Sequence, residues 1–310
     1  MSKDLMTALG AGALSALASM AFLSGIPGAL LIVYVAPLPL LMAGLALGLS
    51  AASLAVMVGI VVAGLIGGPM ASILFAIIHG LPVWMITRLS LLRQIHPDGT
   101  PGAFYPHGFI LALVSAYAAG GFLIVLLMAP SQEGGLMGMI TAYLGEIFSF
   151  MLPTLDDATL NEMIDAVVPL FPGYMGISWL IMVTINTSIA TALLARANRL
   201  PRPVMQMSKL ILPDWLSWLL IASAAIALVG SGETQFLGRN LALILALPFF
   251  FLGLSLVHII ARKTTFPGTF LAGFYVFLVL IGWIALLVIV AGLTEQWVGL
   301  RSRLNQSNNV

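Results

Sequence analysis

The sequence predicts an all-α, polytopic integral membrane helical bundle of about nine transmembrane helices. Three observations predict it. The chain is 61% hydrophobic and only 7% charged, whereas a soluble domain carries about 25% charged residues. Apolar runs near the roughly 20 residues that a bilayer-crossing helix needs recur along the whole length. Short polar or Pro/Gly-rich breaks separate those runs.

The runs fall at Leu5–Leu23, Ala29–Gly48, Ala51–Gly67, Met70–Ile86, Phe109–Met128, Tyr174–Leu194, Trp215–Gly230, Asn240–Ile260 and Thr269–Ala291. In the first, Ala8, Gly12 and Ala16 form a small-residue stripe, with Ala11, Ser15 and Ser19 beside it. Such a face lets another helix approach closely, and the partner helix belongs either to this chain or to another. The opening residues have the outline of a signal peptide, but Asp4 offsets Lys3, so a retained first helix is expected. In the second run Pro37 and Pro39 each remove a helical hydrogen bond, which predicts a kinked or partly unwound span. Gly44/Gly48 and Gly64/Gly68 sit at helix-packing spacing, not in phosphate-binding loops.

The fourth run reads "FAIIHGLPVWMITR" and places His79, Gly80, Pro82 and Trp84 together. Pro82 lacks an N–H and crowds the carbonyl of residue 78, so the helix is expected to open beside a titratable ring at mid-bilayer. Broken helices at that depth build substrate sites in transporters. A proline kink whose histidine bonds a neighbouring helix is the structural alternative. In the sixth run Asn186 is an amide well inside a span, suited to a helix–helix hydrogen bond or to a cavity wall. Trp84 and Trp179 are either interfacial anchors or cavity residues. These six residues, His79, Gly80, Pro82, Trp84, Trp179 and Asn186, are the candidate small-molecule site. His258, beside Arg262 and Lys263, is expected at the surface.

Between the fifth and sixth runs, Ala129 to Gly173 holds Glu133, Glu146, Asp156, Asp157, Glu162 and Asp165 with no Lys or Arg. Two short amphipathic helices on the non-cytoplasmic face are expected there. Thr159–Glu162 has the spacing of a capping box, and Pro169 and Pro172 close the second helix. The segment is a connector resting on the bilayer or a lid. The chain thus divides into residues 1–128, 129–173 and 174–310.

With the N-terminus inside, Lys3, Arg88, Arg93, Arg196, Arg199, Arg202, Lys209, Arg262 and Lys263 are cytoplasmic, whereas Arg239, Arg301 and Arg303 are outside. That is the positive-inside pattern of a multi-pass membrane protein. A net charge of +1 offers no field for nucleic acid. The chain has no cysteine, which excludes thiolate metal sites and cysteine nucleophiles. No nucleotide, zinc-protease or serine-hydrolase motif occurs, so no enzyme, metal or cofactor is expected.

"APLPLLMAGLALGLSAASLAV", the acidic outer segment and "LLARANRLPRPVMQMSKLILPDWLSWLL" resemble the YybS-like family of predicted bacterial membrane proteins. That family is similar to the substrate-binding S components of energy-coupling-factor transporters. The resemblance implies an S-component-like core with additional C-terminal helices, and a ligand cavity opening outward beneath residues 129–173. It also implies a transmembrane coupling subunit with separate ATPases, docked on Ala8, Gly12 and Ala16. S components have six spans, fewer than expected here. A membrane scaffold or assembly factor without a solute site is the alternative function.

Overall fold

Proline and glycine decide where the helices stop. In a computed structural model, residues 2–25, 27–130, 134–204 and 209–301 are described; Glu133 and Arg303 of the charge map lie outside them. Helix α1 (Lys3–Ser19) is capped by Ser2, whose hydroxyl accepts from Leu5 N. As expected, the second run is broken: α2 (Ala29–Tyr34) ends before Pro37 and α3 (Pro37–Leu47) starts on it. Gly48 then turns the chain with φ 94°, a left-handed value that favours glycine.

Helix α4 (Leu49–Phe75) contains a second such reversal at Gly68, with φ 78° and ψ −176°. Ser72 Oγ donates to the Ile60 carbonyl at 3.0 Å. Twelve residues of straight helix would separate those groups by about 18 Å, so the two arms of α4 run back along each other. A turn of π-helix (Ala76–Gly80) leads into α5 (Leu81–Leu91). The fourth run is therefore not unwound at Pro82, contrary to expectation. The wider turn absorbs the proline: the Leu81 N–H reaches five residues back to the Ala76 carbonyl, and the chain stays helical.

A hairpin that the sequence reading missed follows, with β1 (Arg93–Ile95) antiparallel to β2 (Pro101–Phe104). Then come α6 (His107–Met128), α7 (Gly135–Met151), α8 (Asp157–Val167) and α9 (Phe171–Arg196). The chain ends with α10 (Asp214–Val229), α11 (Gly232–Ala261), α12 (Pro267–Leu280) and α13 (Ile284–Val298). The two short helices expected in residues 129–173 are α7 and α8. The N-cap of α8 is Asp156 rather than Thr159: its carboxylate accepts from Thr159 N at 2.9 Å and from Thr159 Oγ1 at 3.0 Å. Pro172 opens α9 instead of closing α8.

Among the described residues five helical stretches are long and apolar enough to span a bilayer, or six if α12 and α13, bent by 118°, count as one. Nine were expected. Helices α1, with 17 residues, and α10, with 16, fall short of that length, and α4 with α5 forms one 43-residue stretch. All-α, polytopic membrane architecture stands.

Two compact units interleave along the chain, residues 1–114 with 181–210 and residues 115–180 with 211–310. In unit 1, α1 packs on α4 and α3. Ala8, Gly12 and Ala16 are all buried in this contact face, and a Cβ on Gly12 would strike the Ala55 carbonyl oxygen. The small-residue stripe thus meets this chain's own α4. In unit 2, α11 is central, with α10 and α13 packed on it. A Cβ on Gly292 would collide with the Phe249 carbonyl, and one on Gly253 with that of Val288, so α11 and α13 cross at backbone contact.

Candidate functional site

His79 and Gly80 lie in the π-turn, and Pro82 and Trp84 on the first turn and a half of α5. The histidine is buried at 5% exposure, its ring centroid 5.5 Å from that of Phe75. Its Nδ1 has no hydrogen-bond partner. Gly80 lets the π-turn approach α4, since a Cβ there would lie 2.9 Å from Val56 Cγ1. Trp84 Nε1 donates to Ser53 Oγ at 3.0 Å, and the Arg88 guanidinium lies 5.4 Å from the Trp84 ring centroid. A tryptophan so bonded links α5 to the first arm of α4.

Asn186 is in unit 1 as well, but bonded elsewhere. Its Nδ2 donates to the Tyr34 carbonyl and, on its own helix, to the Met182 carbonyl, both at 2.7 Å. Tyr34 ends α2, so the amide meets a carbonyl in the last turn of a helix, where intrahelical donors run out. Asn186 Oδ1 is buried without a partner. Trp179 belongs to unit 2, where its ring sits 5.9 Å from that of Tyr117. The structure thus groups His79, Gly80, Pro82 and Trp84 on one segment and shows no hydrogen bond linking them to Asn186.

Residues the sequence reading passed over form a second polar centre in unit 1. Arg202, counted from the sequence only as a cytoplasmic charge, is 6% exposed. It donates to the Ser90 carbonyl at 3.1 Å and to the Tyr105 carbonyl at 3.0 Å, and its Nη2 lies 3.2 Å from His107 Nδ1. Its guanidinium carbon is also 5.6 Å from the Phe104 ring centroid, on β2. A guanidinium can only donate, so Nδ1 accepts, and the neutral ring carries its proton on Nε2. Both that Nε2 and Arg202 Nε are buried with no partner. Burial pulls the Arg202 guanidinium below its ordinary range, yet an arginine keeps its charge in a protein. Pro201 and Pro203 flank Arg202, a signal present in the sequence that argues against helix at this position.

Two cavities of unit 1 bear on these residues. One, of about 60 Å³, is lined by Arg202 and His107 together with the end of α5 and the C-terminal half of α9. The other, of about 720 Å³, is lined by α1, α3 and the end of α9 and carries Lys3, Asp4 and Arg199. Neither takes a lining residue from His79, Gly80, Pro82, Trp84, Trp179 or Asn186, nor from residues 129–173. The outward-opening cavity expected beneath that segment is not one of these two. Apolar residues dominate the smaller wall, because Thr187, Ser188 and Thr191 all spend their hydroxyl protons on carbonyls of their own helix. Among the described residues no group of three or more His, Asp or Glu side chains is placed to hold a metal ion.

Fold and composition together define a multi-pass α-helical membrane protein in which, among the described residues, most of the unpartnered buried polar atoms lie in unit 1. The chain belongs to the family described as "Predicted membrane protein (DUF2232)", whose model matches residues 13–295. No curated protein and no solved structure matches it.

Proposed function

We propose that this protein binds a small molecule within unit 1, as the substrate-binding subunit of a membrane transport assembly in the bacterial inner membrane. One observation carries the reading: His79 Nδ1, Thr87 Oγ1 and Asn186 Oδ1 are buried in unit 1 and unpaired. An unpaired polar atom buried away from water costs about 1–3 kcal/mol, and a bound solute that pairs with it removes that cost. The π-turn at His79 supports the reading, since such turns recur at functional sites. A role in binding rather than catalysis is part of this proposal. A coupling subunit with its own ATPases would dock on a face other than Ala8, Gly12 and Ala16, which α4 covers.

Native mass spectrometry of the purified protein tests this. A co-purified small molecule that His79→Leu removes, with melting temperature held, supports the proposal. Wild-type protein at the bare chain mass, or a ligand that His79→Leu leaves in place, rejects His79 as part of the site.

A further inference from the structure

Unit 1 is electropositive and its one deeply buried cation has no counter-charge. Its residues include seven Lys or Arg but only Asp4 and Asp98 as acids. Asp4 sits in the first turn of α1. Asp98 is turned onto Thr100, accepting from its N at 2.9 Å and its Oγ1 at 2.6 Å. Neither acid is a partner of Arg202, whose bonds go to two neutral carbonyls and one imidazole nitrogen.

That arrangement leaves donors in excess. Arg202 Nε–H and His107 Nε2–H are both buried and unpartnered, and both residues line the cavity of about 60 Å³. A single water needs about 10–15 Å³ of such space, so a group of several heavy atoms fits. Helix α6, 22 residues long, begins at His107, and its positive dipole end adds to the attraction for an anion. Below these donors the wall turns apolar, with Ile86, Ile110, Val114 and Val183. The pocket reaches the surface at Ser188, which is exposed. Charge and donors at one end with hydrocarbon at the other define the occupant.

We propose that this pocket binds a phosphate-type oxyanion head on Arg202 and His107, with an apolar body lying along α6 and α9. An anionic phospholipid of the surrounding bilayer and a free phosphate-bearing solute share that head chemistry. Nη1 is bonded to Ser90 and Nη2 to Tyr105 and His107, so the head takes the Arg202 Nε–H and the His107 Nε2–H, and the fixed positive charge of the guanidinium adds to the attraction. His107 and Arg202 are positioning groups for the head, and the cavity takes no residue from the His79 segment, so this proposal stands or falls independently of that site.

The test uses the full chain, stripped of lipid in neutral detergent, and three probes: phosphatidylglycerol, phosphatidylcholine and inorganic phosphate. Occupancy is read by native mass spectrometry and by the shift in melting temperature. Phosphatidylglycerol is expected to bind one per chain, at least tenfold tighter than phosphatidylcholine, and Arg202→Gln to lose at least tenfold of that affinity. Stabilisation by inorganic phosphate, lost in Arg202→Gln, without preference for phosphatidylglycerol, supports a free solute as the source of the same head group. Should Arg202→Gln fail to fold, Ser188→Trp leaves the arginine network intact and fills the exposed mouth; it is expected to lower phosphatidylglycerol affinity at least fivefold. Unchanged phosphatidylglycerol affinity in both variants, or no binding of any probe by the wild type, overturns the proposal.

Discussion

Asn240 in unit 2 and Asn186 in unit 1 are both buried amides on long apolar helices, and they are used differently. Asn240 Nδ2 donates to the Pro169 and Phe236 carbonyls at 3.0 and 2.8 Å, while its Oδ1 accepts from Gly173 N at 2.6 Å. The Gly173 N–H lies in the first turn of α9, where no helical acceptor exists, so the amide serves as a tertiary cap. Asn186 fills its donors and leaves its acceptor empty. The cations differ in the same sense. Arg301 Nε meets Glu295 Oε1 at 2.6 Å in unit 2, whereas Arg202 has only neutral acceptors. Of the six buried, unpartnered side-chain atoms among the described residues, all but Ser217 Oγ are in unit 1. Pairing within the chain holds unit 2 together; unit 1 keeps hydrogen-bonding capacity that the chain itself does not use.

Packing should not share this asymmetry. Gly12→Leu in unit 1 and Gly292→Leu in unit 2 each force a side chain into a carbonyl of the facing helix. Each is expected to cost about 3 kcal/mol, and thermal unfolding in detergent should show losses of similar size. A large inequality there would mean that the units differ in packing rather than in pairing. Next in size, Glu295→Ala removes the carboxylate oxygens that accept from the Nε and the backbone N–H of Arg301, at about 2 kcal/mol, again read from the melt. His79→Leu should cost less than about 1 kcal/mol without ligand, because leucine gives up no bond made by Nδ1. A greater loss would give the histidine a structural role.

The smallest effect is a pH dependence at Asp156. Two bonds from Thr159 hold its carboxyl below the usual carboxylate range. A depressed folded-state value means that the cap stabilises α8 fully above the unfolded value near 4 and fades as pH falls through the lower folded value. Amide exchange of residues 157–163, corrected for intrinsic rate, should lose protection below about pH 4, and Asp156→Ala should remove that dependence. Protection unchanged down to pH 2 would assign the cap to another group.

Local chemistry was legible in the sequence and long-range pairing was not. Pro37 marked a true helix break, and the boundary between Gly67 and Met70 is where α4 reverses, because glycine and proline act through their own backbone. Pro82 misled: it removes a hydrogen bond, but whether a helix opens or widens depends on neighbours such as Val56, which presses on Gly80. The stripe of Ala8, Gly12 and Ala16 announced a close helix contact without saying with which helix. His79 and Asn186 stood out as polar groups in apolar runs, and both are buried, though no bond joins them. Arg202 and His107 were overlooked because both read as ends of polar loops. Their meeting requires the chain to return across 95 positions, and no local spacing encodes that. The Asn240–Gly173 bond spans 67 positions and was equally invisible.

On this reading buried polarity in unit 1 serves something outside the chain, whereas in unit 2 it is structural. Parallel melting curves of Asn186→Leu and Asn240→Leu, recorded on the same delipidated preparation, test it most directly. Asn240→Leu strands the Gly173 N–H and the Pro169 carbonyl and should cost about 2–3 kcal/mol. Asn186→Leu removes one bond between helices, that to the Tyr34 carbonyl, and should cost about 1 kcal/mol. A melting-temperature loss at least twice as large for Asn240→Leu is the predicted result. An equal or larger loss for Asn186→Leu would contradict the account, because the unit 1 amide would then be as structural as its counterpart.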